Sequence, residues 1–200
     1  MSMALCFSFI SALVLLIALV FQWNVIDALT PFLGVPLLGL AWFPVMLSAV
    51  LAVAHAYRNR SKGAYAFAPL IVTICTLLVA FFVPFTRLWL YANFHLNLSA
   101  REQVVAKVKS GTFRPNVAHS AKLIALPKNS GLSMGGDEII VEGSSSNPYV
   151  FFFTFRGILD NYSGFLWVPD GGKPEQFRDA GELGTEIEPF GGNWYFIGHR

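Results

Sequence analysis

The chain has 200 residues, 54% hydrophobic and only 13% charged, against about 25% charged in an ordinary soluble domain. That composition excludes a uniformly soluble protein and a disordered chain, and two cysteines exclude a disulfide-stapled scaffold. The net charge of +2 is unevenly spread: residues 1–98 hold four Lys/Arg and one Asp, residues 99–200 ten and eleven, so no basic face for nucleic acid is indicated.

Three apolar stretches open the chain, Ala4 to Phe21, Phe32 to Ala56 and Ala64 to Phe85, none with an Asp, Glu, Lys or Arg. As helices rising about 1.5 Å per residue they match a hydrocarbon core of about 30 Å. Helices are required there because lipid offers no partner to backbone N–H and C=O groups. The expectation is three transmembrane helices over about residues 4–22, 32–56 and 64–85. Trp23, Tyr57, Tyr65, Trp89 and Tyr91 fall at or just beyond the stretch ends, where amphipathic rings suit the headgroup region. The first stretch has no basic n-region and no A-x-A-like site, so it is expected to be a permanent anchor rather than a cleaved signal.

Loop charge sets the expected topology. The connection Tyr57 to Gly63 carries Arg58, Arg60 and Lys62, whereas Gln22 to Pro31 carries only Asp27. Cytoplasmic loops retain Lys and Arg, which places the second connection and the N-terminus inside and everything after Phe85 outside. Within the stretches the polar side chains are Ser8, Ser11, Ser48, Thr73 and Thr76, with thiols at Cys6 and Cys75. A pump or proton-coupled carrier needs an intramembrane charge, and none is present. His55 stands at the cytoplasmic end of the second stretch, an interfacial position. Small residues at Ala4/Ser8/Ala12 and Ser48/Ala52/Ala56 permit close helix packing.

Residues 86–98 contain no Gly or Pro and read as a juxtamembrane stalk. Ser99 and Glu102 have capping-box spacing, which predicts a separate helix from about Ala100 to Ser110, stopped by Gly111. The pattern then changes to short aromatic and β-branched runs at Leu123–Leu126, Glu138–Val141, Tyr149–Arg156, Phe165–Val168 and Trp194–Ile197. Gly143 to Asn147 is expected to close a hairpin, and Pro169-Asp170-Gly171-Gly172 is a turn. Aromatic residues on both parities of 150–155 predict a central strand buried on both faces. The 173–192 segment, rich in Gly and Glu, reads as a long loop. Residues 99–200 are thus expected to form an extracytoplasmic α+β domain with a mainly antiparallel sheet of about five strands.

Gly131-Leu132-Ser133-Met134-Gly135 matches G-x-S-x-G, but the nucleophile elbow needs a helix after the serine, and Asp137 to Val141 reads as strand. The overlapping Gly135-Gly136-Asp137-Glu138-Ile139 resembles the GGDEF signature of diguanylate cyclases over five residues. That resemblance implies a longer, cytoplasmic GTP-binding domain with an upstream aspartate motif, and no such motif occurs between Ala100 and Met134. Both segments are therefore read as a glycine-rich turn entering a strand. His95, His119 and His199 are far apart, with no metal-ligand spacing. The expected binding residues are Asp160, Asn161, Tyr162 and Ser163 at a hairpin tip, with Trp167 on the following strand.

Taken together, the sequence predicts a membrane-anchored accessory or interaction protein presenting an extracytoplasmic binding domain. The alternative is a membrane-anchored extracytoplasmic hydrolase. The expected location is the bacterial cytoplasmic (inner) membrane. Expected partners are the lipid bilayer, a membrane protein or second copy of the chain, and an extracytoplasmic ligand. No nucleic acid, no cofactor, no metal and no catalytic residue is assigned.

Overall fold

The computed structural model describes residues 2–118, 120–144, 147–157, 161–177 and 185–199. A helical N-terminal region is followed by a large antiparallel sheet that does not close into a barrel. The chain divides into two compact units, Met1–Trp89 and Leu90–Arg200.

The first unit contains α1 (Met3–Val20), α2 (Gln22–Leu40), α3 (Trp42–Asn59), a 3-10 segment (Arg60–Phe67) and α4 (Ala68–Phe82), followed by the start of α5 (Phe85–Lys109). Two segments are long and apolar enough to cross a membrane by length and composition, Met3–Val20 and the 61-residue run Gln22–Phe82, where the sequence predicts three. Prolines explain the altered boundaries. The predicted second span, 32–56, is divided at Ala41 between α2 and α3, because Pro44 has no N–H to give the Leu40 carbonyl and its ring crowds that carbonyl. Residues 22–31, read as a connection, are mostly helical; the break there is confined to Thr30 (φ 63, ψ 161), where the ring of Pro31 disfavours the α region for the residue before it. The predicted third span, 64–85, becomes a 3-10 segment and then α4, which ends at extended Val83 ahead of Pro84.

In this unit α1, α3 and α4 pack side by side through their small and hydroxylated residues. Ser8, Ser11 and Leu15 of α1, Val45, Ser48, Ala52 and Ala56 of α3, and Pro69, Thr73 and Thr76 of α4 are buried. Their three- and four-residue spacing puts each set on one helix face. Ser48 Oγ lies 2.9 Å from Ser8 Oγ and 3.1 Å from Thr73 Oγ1, joining the three helices. Ser8 and Thr73 also donate to the carbonyls of Ala4 and Pro69. The opposite faces are apolar and exposed, with Ile10 and Leu13 on α1, Val50 and Val53 on α3, and Ile71, Ile74 and Leu78 on α4.

Among the described residues, the second unit contains the rest of α5 and six strands: β1 (Leu123–Ala125), β2 (Glu138–Ser144), β3 (Asn147–Arg156), β4 (Tyr162–Trp167), β5 (Thr185–Gly191) and β6 (Trp194–His199). They form one antiparallel sheet in the order β1-β2-β3-β4-β6-β5. Ser144 pairs with Asn147, so the expected hairpin joins β2 to β3. The Gly172 N–H donates to the Pro169 carbonyl at 2.9 Å, closing the expected turn. The central β3 is buried continuously from Val150 to Thr154. On one face Phe151 and Phe153 meet Leu123, Ile140, Leu166, Ile197 and the loop residue Phe177. The other face is covered by α5: Phe94 touches Phe165 and Trp194 at ring-centroid distances of 5.1 and 5.7 Å. Val104, Val105 and Val108 share that buried helix face.

Two expectations are corrected here. Ser99 is no N-cap, since α5 runs unbroken from Phe85 to Lys109; with no Gly or Pro upstream, the helix already satisfies the backbone groups that a cap would serve. It stops where predicted, at Gly111 (φ 71), whose N–H donates to the Val108 carbonyl. The 173–192 segment, read as loop, contains a 3-10 turn (Pro174–Gln176) and the edge strand β5. Glu186, Glu188 and Pro189 mask β5 in the sequence, yet charges and proline are what an edge strand carries to block further pairing. The other edge is shielded differently: Asn116 Oδ1 accepts from the Ala125 N–H at 2.7 Å, and the Asn116 N–H donates to the Leu123 carbonyl.

Candidate functional site

Ser133 is committed to the fold. It is 4% exposed, donates to the Glu138 carbonyl and accepts from the Phe153 N–H at 3.0 Å, which ties its loop to β2 and β3. Gly135, Gly136 and Asp137 all have positive φ. Asp137 accepts from the Asn129 N–H and the Ser130 hydroxyl at 2.7 and 2.8 Å. Glu138 pairs with Arg156 at 2.7 Å. The five residues that resemble a cyclase signature therefore build a tight turn, with both acids engaged inside the domain.

The expected hairpin residues are divided by the two-residue period of β4. Tyr162 packs on the Phe151/Phe153 face, with ring centroids 5.3 and 5.7 Å from those phenylalanines. Asn161 is exposed beside it, its carbonyl accepting from the Gly157 N–H at 2.7 Å. Ser163 and Trp167 share the alternate parity. Ser163 Oγ lies 3.1 Å from Thr154 Oγ1, and the Lys109 ammonium sits 5.1 Å over the Trp167 ring. Asp160 lies outside the described residues. Of the described members of the expected set, Asn161 and Tyr162 come together.

They do so at a cleft of about 180 Å³ on the Phe151/Phe153 face. Its floor is Leu123, Ile140 and Phe153, and its polar rim is Ser120, Lys122, Arg156, Asn161 and Tyr162. Among the described residues, Lys122 and Arg156 are the charged members of this lining. Each reaches a carboxylate of β2: Lys122 Nζ to Glu142 at 2.5 Å, and Arg156 Nη1 to Glu138. Arg156 also donates to the Gly135 carbonyl and stacks 5.1 Å over Phe153. Ser120 Oγ accepts from the Lys122 backbone N–H, while the Lys122 ammonium is held by Glu142. Among the described residues, no base stands in hydrogen-bond reach of the Ser120 hydroxyl, as an activated nucleophile needs. Sequence reasoning missed Ser120, Lys122 and Arg156 because they are single polar residues on separate elements with no shared motif.

A third cation, this one buried, lies on the opposite face. Arg101 of α5 is 1% exposed. Its Nε and Nη2 donate to the Leu132 carbonyl, and its Nη1 and Nη2 donate to the Asn93 carbonyl and Oδ1. Its guanidinium lies 4.7 Å from the Phe165 ring centroid and 5.8 Å from that of Phe152. Desolvation lowers its pKa from the ordinary arginine value to about 10. Carbonyl dipoles and ring faces compensate the charge, so Arg101 fastens the Leu132 loop to α5 and is closed to a ligand.

Arg58, Arg60 and Lys62 are exposed around the end of α3, with the Arg60 guanidinium 5.3 Å over the Tyr57 ring. Among the described residues, no group of three His, Cys, Asp or Glu is arranged to hold a metal ion. Comparison of the chain with protein-family models, with curated proteins and with solved structures gave no significant match.

Proposed function

We propose that the chain is an integral membrane protein whose helices anchor the sheet unit on the outer side of a cytoplasmic membrane, where that unit binds a ligand or protein partner rather than converting a substrate. The observation that carries the anchor is the inverted polarity of the first unit. Hydroxyls of Ser8, Ser48 and Thr73 meet inside it, while Ile10, Leu13, Val50 and Ile74 stand exposed outside. In water that arrangement exposes apolar area with no compensation; in lipid it is the expected one.

The run Gln22–Phe82 is 61 residues long, about 90 Å if straight, and its parts α3 and α4 both lie against α1. Folding back once at the 3-10 segment between α3 and α4, it supplies two crossings, which with α1 makes three. Arg58, Arg60 and Lys62 then mark the cytoplasmic turn and leave α5 to lead outward. Binding is favoured over hydrolysis because Ser133 is locked to backbone groups and, among the described residues, no base is hydrogen-bonded to the Ser120 hydroxyl.

The test is labelling of intact cells with a membrane-impermeant maleimide, in a background with Cys6 and Cys75 changed to serine. The expected result is that Lys173→Cys reacts and Arg60→Cys reacts only after permeabilisation. Reaction at residue 60 without reaction at residue 173 overturns the orientation.

A further inference from the structure

The cleft beside Tyr162 combines three properties that bear on what it takes. Its floor is apolar and nearly closed to solvent, with Leu123, Ile140 and Phe153 each under one-tenth exposed. Among the described residues, the charged members of its lining are both cations. Its volume of about 180 Å³ exceeds the roughly 150 Å³ in which an apolar cavity accommodates benzene. We infer that the cleft binds a small aromatic or branched carboxylate, its body on Leu123, Ile140 and Phe153 and its anionic end on Lys122 and Arg156. The inference rests on reading the sheet unit as a binding domain.

Donors for the anion remain free. One hydrogen bond of the Lys122 ammonium is to Glu142, and Arg156 uses Nη1 for Glu138 and Gly135. Among the described residues, the Nε and Nη2 edge of Arg156 has no acceptor, and that edge is the one that suits a bidentate carboxylate. The existing ion pairs do not close the site. The Lys122 side chain is 53% exposed and that of Arg156 36%, and pairs so exposed hold their partners weakly, so a ligand carboxylate can share or replace Glu142. The Tyr162 ring, set edge-on to Phe153 at 5.7 Å, leaves an aromatic wall for a planar ligand.

The experiment is calorimetric titration of the full chain in mild detergent with benzoate, against benzamide and benzylammonium as neutral and cationic molecules of similar shape. Benzoate is expected to bind saturably at one site, about tenfold tighter than benzamide, with no saturable binding of benzylammonium. Lys122→Gln is expected to weaken benzoate about tenfold at unchanged melting temperature, and Lys122→Arg to restore it. Glu142→Gln, which frees the ammonium, is expected to tighten benzoate about threefold. Lys122 is the variant of choice because Arg156 also holds the Gly135 turn. Absence of saturable benzoate binding, equal affinity for benzamide, or indifference to Lys122→Gln overturns the inference. External labelling of residue 173 is read independently, so a domain that is exported but indifferent to benzoate loses the ligand class and keeps the anchor.

Discussion

With the first unit in a membrane, as proposed, the two units of this chain solve opposite solvent problems by placing polar and apolar side chains in opposite ways. In the first, Ser8, Ser48 and Thr73 are interior and isoleucine, leucine and valine are exterior; in the second, Phe151, Phe152 and Phe165 are fully buried while Lys122, Glu175 and Glu186 face outward. The hydrophobic effect cannot hold apolar helices together when their surroundings are equally apolar, so close contact of small residues and hydroxyl hydrogen bonds take its place. The sheet unit relies on area removed from water. A substitution should therefore change sign or size according to the unit that receives it.

The largest expected effect is in the sheet unit. Gly164 of β4 has no room for a side chain, because an added Cβ would meet the Phe152 carbonyl and the Phe151 ring in overlap. Gly164→Val should abolish the cooperative thermal transition of this unit, a loss of about 3 kcal/mol or more. Ile10, 60% exposed on α1, should show the reverse of soluble behaviour. Aspartate at an ordinary exposed position changes stability by no more than about 0.5 kcal/mol, whereas at the centre of a spanning helix it costs about 2.5–3.5 kcal/mol. Ile10→Asp should thus sharply reduce the membrane-inserted fraction, measured by alkaline extraction, and leave folding of the sheet unit unchanged.

Next comes Arg101. Arg101→Met removes the buried charge but strands the Leu132 carbonyl, so about 2 kcal/mol of stability should be lost, read by denaturant unfolding. The pH dependence has a defined sign. The folded state releases the Arg101 proton at about 10, before the unfolded chain does, so the unfolded state binds more protons above that pH. The stability difference between wild type and variant should be flat from about pH 5 to 9 and shift toward the wild type as pH rises beyond about 10. The smallest effect is expected for Ser48→Ala, which removes the hydroxyl linking α1, α3 and α4; double-mutant cycles with Thr73→Val should give a coupling of about 0.6 kcal/mol.

Much of this architecture is legible in the amino-acid sequence. The apolar stretches, the Ser48/Ala52/Ala56 face, the doubly buried β3, the β2–β3 hairpin and the Gly111 stop all follow from period, composition and glycine stereochemistry. The misreadings share a cause, which is local pattern overruled by a neighbour. Pro44 divides an unbroken apolar run, an upstream helix absorbs the Ser99 cap, and edge position gives the acidic segment around Glu186 and Glu188 a strand partner in β6. The cleft is barely legible, for Lys122, Arg156 and Tyr162 converge only once β1 to β4 are paired in register. The alternation of β4 that brings Tyr162 in carries Ser163 and Trp167 to the other face. Nothing in the sequence marks Arg101 as buried, since an arginine in a helix is ordinarily solvated.

The central claim is that the outer faces of the first unit meet lipid and the second unit meets water. Spin labels placed singly at residues 10, 13 and 17 of α1 and at residue 175 of the sheet unit, in protein reconstituted into liposomes, test it directly through collision with oxygen and with a water-soluble nickel chelate. The account predicts high oxygen and low chelate accessibility at 10, 13 and 17, and the opposite at 175. Chelate accessibility at 10 and 13 equal to that at 175 would contradict it.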